Sequence, residues 1–158
     1  MMLGAYDGRN GKPVDVFRRQ HEAWRRSYAA AGLVHERFPK VELLVIDLVF
    51  TDARRMGRYS PQMRSFSGSA KAFFAIACPR TLCVDGGFDL DPILVSMLGT
   101  ERTMLKGTLE CCGWTDPTHA ENSRCLLRMH YRLDARYDAP HASTAKRGVR
   151  ERGAKRSD

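Results

Sequence analysis

Long apolar runs are missing from this chain. Its longest apolar stretch, Leu43 to Phe50, is broken by Asp47 and falls far short of the roughly 20 residues a membrane helix needs, so membrane insertion is not expected. Residues Met1 to Lys12 hold no apolar block between a basic start and a small-residue cleavage site, so no secretory signal is read there and a cytoplasmic location is expected. The chain also has no GxxxxGK[ST] loop and no GxGxxG fingerprint, which leaves nucleotide hydrolysis unsupported. Asp85, Asp89 and Asp91 crowd one short segment, but it lacks the placed glycine and terminal glutamate of a calcium loop. Gly86 and Gly87 then read as a turn and Asp91 as a helix cap. Internal repeats are absent.

What is there suffices for one core. The 158 residues, 43% hydrophobic and 28% charged, have the size and balance of one folded domain. Twenty-six Lys and Arg against eighteen Asp and Glu leave a formal charge of +8. Such an excess favours nucleic acid, an anionic surface or an acidic protein as partner, and does not choose among them.

The pattern divides the chain into a flexible leader (1–12), an α+β domain (13–137) and a disordered basic tail (138–158). From Pro13, the residues Val14, Phe17, His21, Trp24, Tyr28 and Ala31 form one helical stripe that stops at Gly32. Arg18, Arg19, Arg25 and Arg26 fall largely off it, as a solvated face or a phosphate-contacting one. Val41 to Asp52 reads as a buried strand, Ala53 to Ser67 as a basic loop, and Ser69 to Cys78 as a second strand. A short helix starts at Asp91-Pro92 and ends at Gly99. Leu105, Gly107, Leu109 and Cys111 set the parity of a third strand, and Leu127, Met129, Tyr131, Leu133, Ala135 and Tyr137 that of a fourth. The expectation is a four-stranded mixed sheet, with the short helix as a crossover that makes the second and third strands parallel.

Five cysteines in a chain without an export signal are expected to be reduced, which turns attention from disulfides to metal or plain burial. Cys78 and Cys83 are separated by four residues in one loop, and Cys112 and Cys125 by twelve around a hairpin, with Cys111 as an extra. Together Cys78, Cys83, Cys112 and Cys125 make a tetrathiolate zinc knot at one end of the sheet, with His119 able to replace a thiol. Inert buried thiols are the alternative, since Cys111 and Cys125 share the apolar parity of their strands. A catalytic thiol lacks support, because no base is placed beside a sulfur.

Three functions follow. The first is a zinc-stabilised module that contacts nucleic acid, RNA favoured, in a larger assembly through Arg54, Arg55, Arg58, Arg128, His130, Arg132, Arg136, Lys146 and Arg147. The second is an inhibitor or adaptor for an acidic protein, steered by the same charges. The third is a metal-dependent hydrolase built on Asp47, the lone charge in an apolar strand, and the acidic loop; an edge position or pairing with a loop arginine is the commoner cause of such a charge, and the second carboxylate and lysine of a nuclease-like motif are missing from the next strand. Trp114 reads as a base-stacking platform or as a cap on the core.

Overall fold

The structure is a computed structural model and describes residues 13–52, 59–116, 118 and 120–138. The leader, Arg54, Arg55, Arg58, His119, Lys146, Arg147 and the tail beyond Asp138 lie outside the described residues.

The architecture is α+β. An 18-residue helix, α1 (Pro13–Ala30), leads through a short turn of helix, α2 (Val34–Arg37), into the long strand β1 (Val41–Asp52). Then come β2 (Gln62–Ser67), β3 (Ala75–Ala77), β4 (Gly87–Asp89), α3 (Asp91–Gly99), β5 (Met104–Glu110) and β6 (Leu127–Tyr137). Four strands form one sheet in the order β2-β1-β6-β5, while β3 and β4 pair in a separate hairpin.

The two longest strands make the centre because each alternates cleanly. Leu44, Ile46, Leu48 and Phe50 face inward opposite Ala135, Leu133, Tyr131 and Met129. Against this inner face pack Phe74, Ile76, Phe88, Leu90, and Leu94, Met97 and Leu98 of α3. Burying each such aliphatic side chain stabilises the fold by about 1.5–3 kcal/mol. Gly107 of β5 leaves the space that the Tyr131 phenol fills; a Cβ there would lie 2.2 Å from its oxygen. The opposite face of the sheet carries no covering layer among the described residues, and Val49, Met63 and Met104 are exposed on it.

Helix α1 stands outside this core. Trp24 and Tyr28 meet Phe73 edge-on at 5.5 and 5.7 Å between ring centroids. The Lys71 ammonium donates to the carbonyls of Ala29 and Ala31 at 3.3 and 2.6 Å, which satisfies orphan acceptors at the end of the helix and complements its dipole.

Several expectations need correction. Every strand pair is antiparallel, so the sheet is not mixed. Helix α3 is no parallel crossover, because β3 pairs with β4 outside the main sheet and α3 simply carries the chain to the edge strand β5. The expected second strand shrinks to Ala75–Ala77, and the basic loop contains β2, which borrows its order from the ladder to β1. Asp91 is not the cap of α3: the Asp89 carboxylate accepts the Asp91 amide at 2.9 Å, and Asp91 holds Arg37 through both carboxylate oxygens.

Candidate metal centre

Four sulfurs meet where the β3–β4 hairpin touches the end of the main sheet. Cys78 directly follows β3, Cys83 lies in the loop to β4, Cys111 directly follows β5, and Cys125 stands two residues before β6. Their Sγ atoms all lie within 4.8 Å of one another. Cys83 and Cys111 are 3.6 Å apart, Cys78 and Cys125 3.8 Å. Four sulfurs at 2.3 Å from a tetrahedral zinc would be about 3.8 Å apart, so these separations match a shared ion. They are far beyond the roughly 2.05 Å of a disulfide, and all five cysteines are free.

The expected ligand set therefore needs one change: the fourth sulfur is that of Cys111, not Cys112. Cys111 continues the inward parity of Leu105 and Leu109 and is buried, while Cys112 is exposed and its thiol donates to the carbonyls of Asp85 and Gly87 at 3.5 Å. Two ligands from one loop and two from the base of a hairpin do converge, through an antiparallel hairpin rather than a parallel crossover.

The backbone around the sulfurs is shaped for them. The Gly113 amide donates to Cys111 Sγ at 3.4 Å. The amides of Arg80 and Leu127 do the same for Cys78 and Cys125. Three cysteines thus each accept an N–H from two residues downstream, an arrangement that favours the thiolate form. Gly86 and Gly113 pass so close that only glycine fits. A Cβ on Gly86 would stand 2.1 Å from Cys83 Sγ, and one on Gly113 would stand 2.3 Å from Gly86 Cα and 2.6 Å from Cys83 Sγ. Asp85 and Leu126, each beside this cluster, take φ of 52° and 49°, a region that non-glycine residues seldom occupy. Backbone bonds lock the pieces together: Val84 and Trp114 exchange amides at 2.8 and 2.9 Å, Cys125 donates to Gly113 at 2.9 Å, and Cys111 to Leu127 at 2.8 Å.

The four close sulfurs shift one another's titration. Contacts with Cys111 and Cys125 push the Cys78 thiol up, and contacts with Cys111, Cys125 and Cys78 together with burial push Cys83 up. Contacts with Cys111, Cys78 and Cys83 hold Cys125 well below an ordinary thiol. Cys111 is opposed by Cys125 but favoured by Cys78, Cys83 and the Gly113 amide, and is lowered to about 7. Such a set deprotonates fully only when a cation neutralises it.

Arg80, between the first two cysteines, braces the cluster. Its guanidinium donates to the Cys125 carbonyl at 3.0 Å and to the carboxylate of Asp52, whose side chain is 2% exposed at the end of β1.

The remaining candidates separate from this centre. Asp47 lies half-buried on the outer face of the central strand β1, opposite Met63 and Arg132, and is neither an edge residue nor a core carboxylate. The Arg124 guanidinium covers the Trp114 ring at 4.4 Å, so one face of the expected platform is taken. Arg128, His130, Arg132 and Arg136 do share the outer face of β6. Arg128 is paired with Glu110 at 3.0 Å, Arg132 with Asp134 at 2.6 Å, and His130 bridges the hydroxyls of Thr51 and Thr108 at 3.0 Å. No helix among the described residues is long and apolar enough to cross a membrane.

The sequence reads Gly86 as a turn glycine but does not pair it with Gly113, against which it packs. Their places, three residues after Cys83 and two after Cys111, are the available signal. Searches for a matching protein family, a similar curated protein and a similar solved structure found none.

Proposed function

We propose that this chain is a small zinc-stabilised binding module whose basic surface contacts nucleic acid, RNA in preference to DNA. The observation that carries the metal half is the set of four mutually close sulfurs. A tetrahedral all-sulfur set suits zinc or iron, and four protein ligands leave no open position for water or substrate. The role of the ion is then structural, and a metal-dependent hydrolase gains no support from it. Reduced thiols of this kind suit a reducing compartment such as the cytoplasm.

Charge supports the choice of partner. Beyond the overall excess of +8, α1 presents Arg18, Arg19, Arg25 and Arg26 as exposed side chains, against two carboxylate residues in the helix sequence, Asp15 and Glu22. The outer sheet face is nearly balanced, with Lys106, Arg128, Arg132 and Arg136 beside Asp47, Glu110 and Asp134. The helix is therefore the better phosphate-contacting surface, a shift from the strand-centred expectation.

The test has two measurements on protein purified without added metal. Elemental analysis should return one zinc per chain. Titration of a fluorescent single-stranded RNA at three salt concentrations should give affinity that falls linearly on a log–log plot. Absence of binding at low salt, with an acidic polypeptide bound instead, would replace nucleic acid by an acidic protein as the partner.

A further inference from the structure

A sizeable cavity lies beside the sulfurs, with Cys78 and Cys83 in its lining. A groove of about 620 Å³ runs between α1 and the Cys78–Cys83 loop. Its volume lies within the range of small-molecule sites. Trp24 and Tyr28 of α1 and Phe73 form its aromatic side, and Pro79 and Thr81 face them from the loop. Gly87 abuts the indole edge, since a Cβ there would lie 3.3 Å from Trp24 Cζ2.

Among the charged side chains lining the groove, the permanent cations are Arg25 and Arg80. Gln20, His21, Arg25 and Arg80 line it, and no carboxylate does. Arg80 is committed to Asp52 and Cys125. Arg25 and His21 are exposed and hold no partner among the described residues. Arg25 leaves a cationic rim over an aromatic wall, with the His21 ring nitrogens beside it as hydrogen-bonding groups.

From this pairing we propose that the groove binds one nucleotide unit, with its base against the Trp24 and Phe73 rings and its phosphate at Arg25 and His21. The orientation follows from charge. Cys78 and Cys83 lie at the floor, and a four-thiolate site with a divalent ion carries net negative charge, so the anionic end of a ligand is held at the rim and the neutral ring goes inward. Stacking on an aromatic wall tolerates any base, and a guanidinium at the mouth takes the phosphate. The inference rests on the nucleic-acid reading for one of its two sources, a base within a single strand, and stands without it for the other, a free nucleotide.

The experiment compares the zinc-loaded parent with Trp24→Leu, Arg25→Gln and the control Arg26→Gln, whose side chain lies outside the groove. Probes are a fluorescent single-stranded octanucleotide and adenosine monophosphate. For the octanucleotide, Trp24→Leu should weaken binding about tenfold with the salt dependence unchanged, as expected for a lost stack. Arg25→Gln should weaken it more than Arg26→Gln does. Because Trp24 also supports α1, melting curves accompany each variant; Arg25 is exposed and unpaired, so its variant keeps the test valid if Trp24→Leu unfolds. Octanucleotide binding that ignores both groove variants overturns the groove and leaves the nucleic-acid reading standing. Binding of the mononucleotide alone, lost in Arg25→Gln, supports the groove and overturns the nucleic-acid reading. Binding of neither probe overturns both.

Discussion

The centre of the sheet and its sulfur corner are held together by different physics. Strands β1 and β6 pair over almost their whole length, and the side chains between them and α3 include Leu44, Ile46, Leu48, Leu127, Met129 and Leu133, all fully buried. Each ladder bond and each buried chain there supports its neighbours. At the corner, β3 and β4 have three residues each, and the loops are joined by isolated bridges at Val84, Trp114 and Arg124 and a few single backbone bonds rather than by a continuous ladder. The buried groups are small thiols, which bring little apolar area, and the backbone is forced through two positive-φ residues. The centre can hold its shape by burial, whereas the corner needs something else to hold it.

Removal of metal should expose that difference most sharply. Structural zinc supplies about 10–16 kcal/mol in small finger peptides, comparable with the roughly 5–15 kcal/mol net stability of a whole domain. A chelator should lower the melting temperature further than Leu48→Ala, a core truncation expected to cost about 2–5 kcal/mol. Hydrogen exchange should show the amides of Cys83 to Gly87, of Cys111 to Trp114 and of Cys125 opening first, with β1 and β6 protected longest. Equal opening everywhere would mean that the corner and the centre are one cooperative unit.

The adjacent cysteines sharpen the comparison at single-residue resolution. Cys111→Ser should lose most of the bound zinc and change the visible spectrum of a cobalt-substituted protein. Cys112→Ser should keep both, because that sulfur is exposed and touches only carbonyls. The reverse result would show that Cys112 enters the site in the loaded protein.

How far the sequence revealed this arrangement depended on which force set each element. Helix α1 and strands β1 and β6 were legible because burial on one side writes a period into the residues. The parity of Leu105, Leu109 and Cys111 was equally legible, and it points to Cys111; spacing arithmetic alone cannot separate two neighbouring cysteines. Strand β2 was not legible, since Gln62 and Arg64 stand at inward positions and its order comes from pairing with β1. The hairpin of β3 and β4 is too short to show a period, and its separation from the main sheet is what turned the expected crossover into a simple antiparallel path.

Glycine substitutions should have smaller effects than ligand loss, and opposite signs in the two regions. Gly113→Ala puts a methyl 2.6 Å from Cys83 Sγ and 2.3 Å from the Gly86 backbone, so zinc affinity and melting temperature should both fall. Gly99, at the end of α3, has nothing within 4 Å of its would-be Cβ. Gly99→Ala should therefore be neutral or stabilise by up to about 1 kcal/mol through reduced freedom of the unfolded chain. A neutral Gly113→Ala, measured by competition with a zinc-binding dye, would show that the loops are looser than their close approach implies.

The smallest effect on stability should come from the outer face of β6. Replacing Arg128, Arg132 and Arg136 together by Gln preserves side-chain length and the alternation of the strand, so the inward row from Leu127 to Ala135 should pack as before. The exposed pairs with Glu110 and Asp134 contribute little in water, and the melting temperature should barely move. Nucleic-acid binding gives the sharper readout. Two of the three arginines already face a carboxylate, so the triple variant should reduce the salt slope by about one unit rather than three. Replacing Arg25 and Arg26 on α1 by Gln, where no carboxylate pairs with either, should reduce it by about two. If instead the strand variant removes three units and the helix variant none, the sheet face is the interface and the groove beneath α1 loses its neighbouring phosphate track.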